Sequence, residues 1–212
     1  MLNRRKGQAG DTLIEVLFAI TVFSLVVVSS LAIMNQGTAT SQRALEITLV
    51  TEQIDNQVEV LRFLHESYVT NYQSGYATSS GLDISGPTGQ FYDIVHSIDP
   101  TTTQASVFND GAAECSAPPS ESFVLNTRNA TVVTDPNIFE LTDTFAQLQF
   151  ESETSSTLTR SRGVWIEAVR SPVVGGSTNG FIDFHVRACW NAPGLSVTSN
   201  LGTIVRLYEP RG

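Results

Sequence analysis

The sequence predicts an α+β protein: a long amino-terminal α-helix, suited to a membrane in its first half and amphipathic in its second, packed on a carboxy-terminal antiparallel β-sheet head. Three observations carry this reading. An apolar run fills residues 13–34, apolar residues then recur at helical spacing as far as Tyr72, and short apolar runs separated by turn signals begin at Phe91. The expected divisions are 11–36 for the membrane half of the helix, 37–72 for its amphipathic half and 73–212 for the β-rich head. With 212 residues, a net charge of −9 and 41% hydrophobic residues, the composition excludes disorder, collagen and a polytopic membrane protein.

The first element, LIEVLFAITVFSLVVVSSLAIM, is 22 residues long with Glu15 as its single charge. At about 1.5 Å per residue such a helix covers roughly 33 Å, enough for a bilayer core. Arg4, Arg5 and Lys6 precede it and no Lys or Arg follows before Arg43, so the amino terminus is expected on the cytoplasmic side and the bulk of the chain outside. A cleaved secretory signal fits less well, because its apolar core spans about 7–15 residues and ends at a small-residue site. Glu15 needs explaining: near the middle of a membrane helix a carboxylate costs roughly 2.5–3.5 kcal/mol, whereas at headgroup level it costs little.

The residues around Glu15 read Ala9-Gly10-Asp11-Thr12-Leu13-Ile14-Glu15, after the short basic stretch and ahead of the long apolar run. This combination resembles the amino-terminal signal of type IV pilins and of the related pseudopilins of type II secretion systems. The resemblance covers the leader and the apolar helix. It implies that residues 1–10 are a prepilin leader peptide, that prepilin peptidase cuts after Gly10, and that Asp11 becomes the new amino terminus and the site of N-methylation. It also implies that Glu15, fifth in the mature chain, serves assembly by neutralising the terminal amine of a neighbouring subunit. A carboxylate is tolerable inside an apolar bundle when it is paired, and such a pair acts more as a register device than as a source of stability.

The chain departs from the family pattern at Asp11, where phenylalanine is common. Cleavage depends chiefly on the glycine, so methylation is the implication this departure weakens. Asp11 also sets a second carboxylate beside the new amine, which favours a specialised, minor or tip-associated subunit. The implied protein is a structural subunit of a type IV pilus or related filament with a pilin-like fold. It would be a single-pass membrane protein before assembly and part of an extracellular filament on the cell surface afterwards. Its implied partners are other pilin subunits, prepilin peptidase, the inner-membrane pilus assembly machinery and, before assembly, the membrane itself. A secretion pseudopilin is the nearest alternative; a membrane-tethered extracytoplasmic binding protein or hydrolase is the alternative from another class.

The second half of the helix follows from period. Ala44, Ile47, Val50, Ile54, Val58, Leu61, Leu64, Tyr68 and Tyr72 recur about every 3.6 residues and form one stripe, while Glu52, Asp55, Glu59, Arg62 and Glu66 fall on the other side. Gly37, among polar residues where the two halves meet, is a soft spot that costs about 1 kcal/mol relative to alanine in a helix. The expectation there is a continuous helix with a weak point or a local unwinding. All eight prolines lie from Pro87 onward, which marks the change to the head. Its apolar runs are 91–98, 123–126, 139–150, 164–169, 181–190 and 203–208, separated by Asp110-Gly111, Pro118-Pro119, Asp135-Pro136, Gly175-Gly176 and Pro193-Gly194. The run 181–190 alternates cleanly, with Ile182, Phe184, Val186 and Ala188 on one face and Asp183, His185 and Arg187 on the other, as in a half-buried antiparallel strand.

In an exported head, the chain's two cysteines, Cys115 and Cys189, are most simply read as one disulfide, with two unpaired thiols as the alternative. A bond closing so long a loop contributes roughly 4 kcal/mol in chain-entropy models. No catalytic pattern is present: Lys6 is the only lysine, H-E-x-x-H, C-x-x-C and G-x-S-x-G are absent, and His65, His96 and His185 are far apart. The chain is therefore expected to be no enzyme and to need no metal or cofactor. Nucleic acid is not an expected partner, because residues 11–212 hold nine arginines against 21 acidic residues. A basic patch formed by Arg160, Arg162, Arg170, Arg187 and Arg206 is the arrangement that would reverse that reading. Asn129-Ala130-Thr131 matches a glycosylation triplet, a pattern that also arises by chance.

Overall fold

In the computed structural model the described residues are 11–73, 86–97, 118, 121–142, 144–170, 180–192 and 198–209. The leader with Gly10, the turn pairs at 110–111, 175–176 and 193–194, and Cys115 lie outside them. Helix α1 is Asp11–Gln73, and the chain divides into two compact units after Leu45.

Among its described residues, the first unit is helix. From Leu13 to Leu45 every residue is exposed, including Phe18, Phe23, Leu25, Ile33 and Met34. Its hydroxyl groups turn back on the helix: Thr21 donates to the Phe18 carbonyl at 2.8 Å, Ser24 to Ile20 at 2.8 Å and Ser29 to Leu25 at 2.7 Å. Polar side chains that satisfy themselves in this way leave the surface from Leu13 to Met34 apolar apart from Glu15. Gly37 is helical, and a Cβ there would meet nothing within 4 Å, so no close approach requires the glycine.

The second unit begins at Glu46 and builds its core from one face of α1. Val50, Ile54, Val58, Leu61, Leu64 and Tyr68 are buried, while Glu52, Asp55, Glu59, Arg62 and Glu66 are exposed, with Arg62 and Glu59 paired at 3.2 Å. The stripe is shorter than its period suggests. Ala44 belongs to the exposed first unit and Ile47 is 41% exposed, because burial starts beyond Glu46, whose carboxylate receives the Trp190 indole N–H at 3.4 Å.

Helix α2, Pro87–Ser97, replaces the run read at 91–98 as part of the β-rich head. Phe91, Ile94 and Val95 are buried at helical, not alternating, spacing, and Pro87 opens the helix where a missing N–H costs nothing. Phe91 packs against Tyr68 and Phe184 at centroid distances of 5.3 and 6.1 Å, which ties α2 to both α1 and the sheet.

Among the described residues, eight strands follow in three sheets. Strands β1 (Val124–Asn126) and β2 (Thr131–Val133) form an antiparallel hairpin. Strands β3 (Phe139–Glu140), β4 (Gln147–Phe150) and β5 (Leu158–Arg162) form a second sheet in the order β3-β5-β4. Strands β6 (Val164–Arg170), β7 (Phe181–Trp190) and β8 (Ser199–Tyr208) form an antiparallel meander. The α+β layout and the antiparallel main sheet are as the sequence suggested, and β7 has the expected faces: Ile182, Phe184, Val186 and Ala188 are buried against α1 and α2.

Three details differ. The run at 139–150 breaks into β3 and β4, and β3 pairs with β5 in parallel, Phe139 opposite Ser161. The polar strand β5, Leu-Thr-Arg-Ser-Arg, carries no apolar alternation to announce it. Gly163 then turns the chain from β5 into β6 at φ +67°, its N–H bonded to the Glu140 carbonyl at 2.9 Å and its own carbonyl accepting from the Cys189 N–H at 2.8 Å. A Cβ at this position would run into the Cys189 carbonyl oxygen, so only glycine fits.

Candidate functional site

Of the residues singled out in the sequence, Asp11 is the first residue of α1 and Glu15 lies on its exposed first turns, between Ile14 and Val16, which are 69% and 57% exposed. The surrounding segment has a mean hydropathy of 2.6 and is, among the described residues, the helix long and apolar enough to cross a membrane. An apolar helix with no buried face is complementary to hydrocarbon or to other apolar helices, and a single carboxylate on it is a point of specific contact. Gly10 lies outside the described residues.

Cys189 is buried near the end of β7, and no free cysteine occurs among the described residues. Cys115, its expected partner, lies outside them. The three histidines have separate surroundings. His65 donates from Nε2 to the Tyr208 carbonyl at 2.9 Å, and His96 stacks on Tyr92 at 3.7 Å. Partial burial, reinforced by the Arg187 charge and opposed by Asp183, lowers the His185 pKa below its ordinary value. Among the described residues, no three His, Cys, Asp or Glu side chains cluster as a metal would require.

The five arginines do not make an open basic patch, since each is matched to a carboxylate. Arg160 and Arg162 share Glu140 at 3.0 and 3.4 Å, Arg170 meets Glu209 at 3.0 Å, Arg187 meets Glu167 at 3.4 Å, and Arg206 meets Asp183 at 2.7 Å. Arg206 also lies over the Phe181 ring, 3.8 Å from its centroid. Pairing of this kind cancels the field that would draw a phosphate backbone.

Two internal polar groups escaped the sequence reading. Gln57 is fully buried and bonds both backbone groups of Leu125, donating from Nε2 to its carbonyl at 2.7 Å and accepting from its N–H at 2.8 Å. The available signal was position, since Gln57 falls three residues after Ile54 and one before Val58 on the apolar stripe. Glu167 is 6% exposed and accepts from the Trp165 indole at 2.7 Å. Trp165 also lines a cavity of about 170 Å³, together with Pro118, Ser122, Pro136, Phe139 and Leu141. No family model, curated protein or solved structure matches this chain.

Proposed function

We propose that this chain is a type IV pilin-like subunit, of the minor or tip-associated kind, that works by assembly and not by catalysis. Prepilin peptidase removes residues 1–10 after Gly10 while α1 is held in the membrane. The mature chain then begins at Asp11, whose amine is the candidate for N-methylation, and Glu15 pairs with the terminal amine of an adjoining subunit. The pilus assembly machinery of the inner membrane transfers the subunit into a filament on the cell surface, where neighbouring helices replace lipid. A Cys115–Cys189 bond would close the exported head, in keeping with Cys189 having no free thiol.

The observation that carries this reading is the exposed apolar helix with its one carboxylate, set directly behind the basic leader and Gly10. Neutralised arginines accord with an acidic head whose contacts are with protein and not nucleic acid. The test is the mass of the amino terminus of protein taken from the membrane and from sheared surface filaments. A chain beginning at Asp11 is expected in both, and the mass of the same peptide reads whether its amine is methylated. Gly10→Ala should leave the full precursor in the membrane, and Glu15→Ala should be cut yet fail to enter filaments. A wild-type protein that keeps Met1, or that begins beyond Met34, would refute the proposal.

A further inference from the structure

The hairpin of β1 and β2 closes through a turn at residues 127–130 that contains the chain's single Asn-X-Ser/Thr triplet, Asn129-Ala130-Thr131. The flanks of this turn are anchored. The Ala130 N–H bonds the Asn126 carbonyl at 2.9 Å, Asn126 Nδ2 donates to the Ser156 carbonyl at 2.7 Å, and the Arg128 guanidinium donates to the Ser152 carbonyl at 2.8 Å while lying 3.9 Å from the Phe150 ring centroid. Asn129 itself is exposed at the tip. Its Oδ1 accepts from the Thr131 N–H at 3.2 Å and from the Thr131 hydroxyl at 2.7 Å, and its Nδ2 has no partner among the described residues.

We propose that Asn129 is an N-glycosylation site of the exported head, taking a saccharide from a polyprenyl-diphosphate-linked donor; this rests on the export assigned to the head above. The triplet supplies the chemistry. An amide nitrogen is a poor nucleophile because its lone pair is shared with the carbonyl, and it becomes competent as a proton leaves and charge gathers on Oδ1. The two Thr131 donors are aimed at that oxygen and stabilise the charge there. The new bond joins Nδ2 to C1 of the sugar, and the bond from C1 to the diphosphate oxygen breaks. Polyprenyl diphosphate departs with the electron pair, and the Nδ2 proton passes to a base of the transferring enzyme. No atom changes oxidation state between protein and leaving group.

Ala130 sits at φ +55°, a left-handed conformation in which an alanine is strained by roughly 1–2 kcal/mol and for which glycine is the usual choice. The rigid flanks present the acceptor amide on a protruding tip that an enzyme can approach without unfolding the head.

The experiment uses the full-length protein recovered from its own cells. Trypsin cuts after Arg128 and Arg160, isolating residues 129–160 with this one triplet. In the wild type that peptide is expected to carry a mass increment that fragments into sugar ions. Asn129→Asp keeps an oxygen for both Thr131 donors and removes only the nitrogen, so the increment should vanish while the head folds normally. Thr131→Ala should abolish it and Thr131→Ser should retain it. A wild-type peptide at its unmodified mass, or an increment that persists in Asn129→Asp, overturns the proposal. The same digest reports the amino terminus: an unmodified peptide beside a chain starting at Asp11 defeats this site alone, whereas a retained Met1 defeats the pilin reading whatever the mass of the 129–160 peptide.

Discussion

Gln57 joins the second half of α1 to β1 through two bonds, and removing its amide isolates their contribution. In the hairpin, Leu125 stands opposite Val132, and its N–H and C=O turn away from β2 toward the helix. Leu125 is fully buried, so no water reaches those groups once the amide is gone. Gln57→Leu fills the same space with apolar atoms and leaves one donor and one acceptor unmade, each at about 1–3 kcal/mol. The two together amount to roughly 2–6 kcal/mol, lessened by the gain from burying a more apolar side chain. A net loss of about 3 kcal/mol is expected, a large share of the roughly 5–15 kcal/mol that holds a domain folded.

The measurement is urea unfolding of the detergent-solubilised chain, followed by the fluorescence of Trp165 and Trp190. A companion variant separates the hydrogen bonds from packing. Gln57→Glu keeps shape but trades the donor for a second oxygen, so at neutral pH it should destabilise more than Gln57→Leu. The introduced carboxyl is buried, and its folded pKa lies above the ordinary value of about 4.3. The penalty is therefore absent below that value, where both states are protonated, and grows as pH rises toward the folded pKa. A loss under about 0.5 kcal/mol for Gln57→Leu, or a Gln57→Glu deficit that ignores pH, would refute the account.

Gly163→Ala should cost about 2 kcal/mol or more, since it adds backbone strain at positive φ to a collision with the Cys189 carbonyl, and it is checked by the same urea curve. A variant as stable as the wild type would mean that β5 and β6 are joined differently. His185, with its pKa lowered first by burial and then by Arg187, contributes stability that is present above about 6.5 and lost as pH falls through its lower folded value. Unfolding midpoints measured from about pH 8 down to about pH 5 should fall in the wild type and fall less in His185→Gln; equal slopes would remove the residue from that response.

The sequence carries the fold where burial is one-sided and long. The helix stripe and the alternation of β7 are readable because each repeats its period against a single apolar partner, so the pattern outlasts local exceptions. Short elements carry no such signal. Phe91, Ile94 and Val95 fit a strand as an apolar run and a helix by spacing, and Pro87 decides between them only once the helix start is placed. Strand β5 is polar and shows itself only through its ladder, which joins β3 on one side to β4 on the other, while Arg160 and Arg162 meet Glu140. The arginine pairs were equally hidden, since Asp183 meets Arg206 only through the β7–β8 register, 23 residues apart in the chain. Glu15, by contrast, is conspicuous because it is the single charge of the apolar run 13–34 and is exposed among the described residues.

That isolation bears on why assembly would depend on one side chain. Lipid tails and leucine side chains are about equally apolar, so moving the exposed helix of the first unit from bilayer to helical bundle gains little hydrophobic free energy. Thr21, Ser24 and Ser29 are already bonded to their own helix and offer little to a neighbour. In the assembly proposed above, what differs between the two environments is the fate of the Glu15 charge, unpaired in lipid and neutralised beside an amine. On the proposed reading, that difference gives the transfer its direction and its register, and close packing of side chains adds to it only after the pair is made. Glu15→Gln should then be more informative than a larger change. It keeps size and hydrogen bonding, lowers the cost of staying in lipid and removes the attraction to the amine. The expected outcome is a processed subunit that accumulates in the membrane, measured as the ratio of membrane to filament protein. A filament fraction equal to the wild type would show that packing alone drives the transfer.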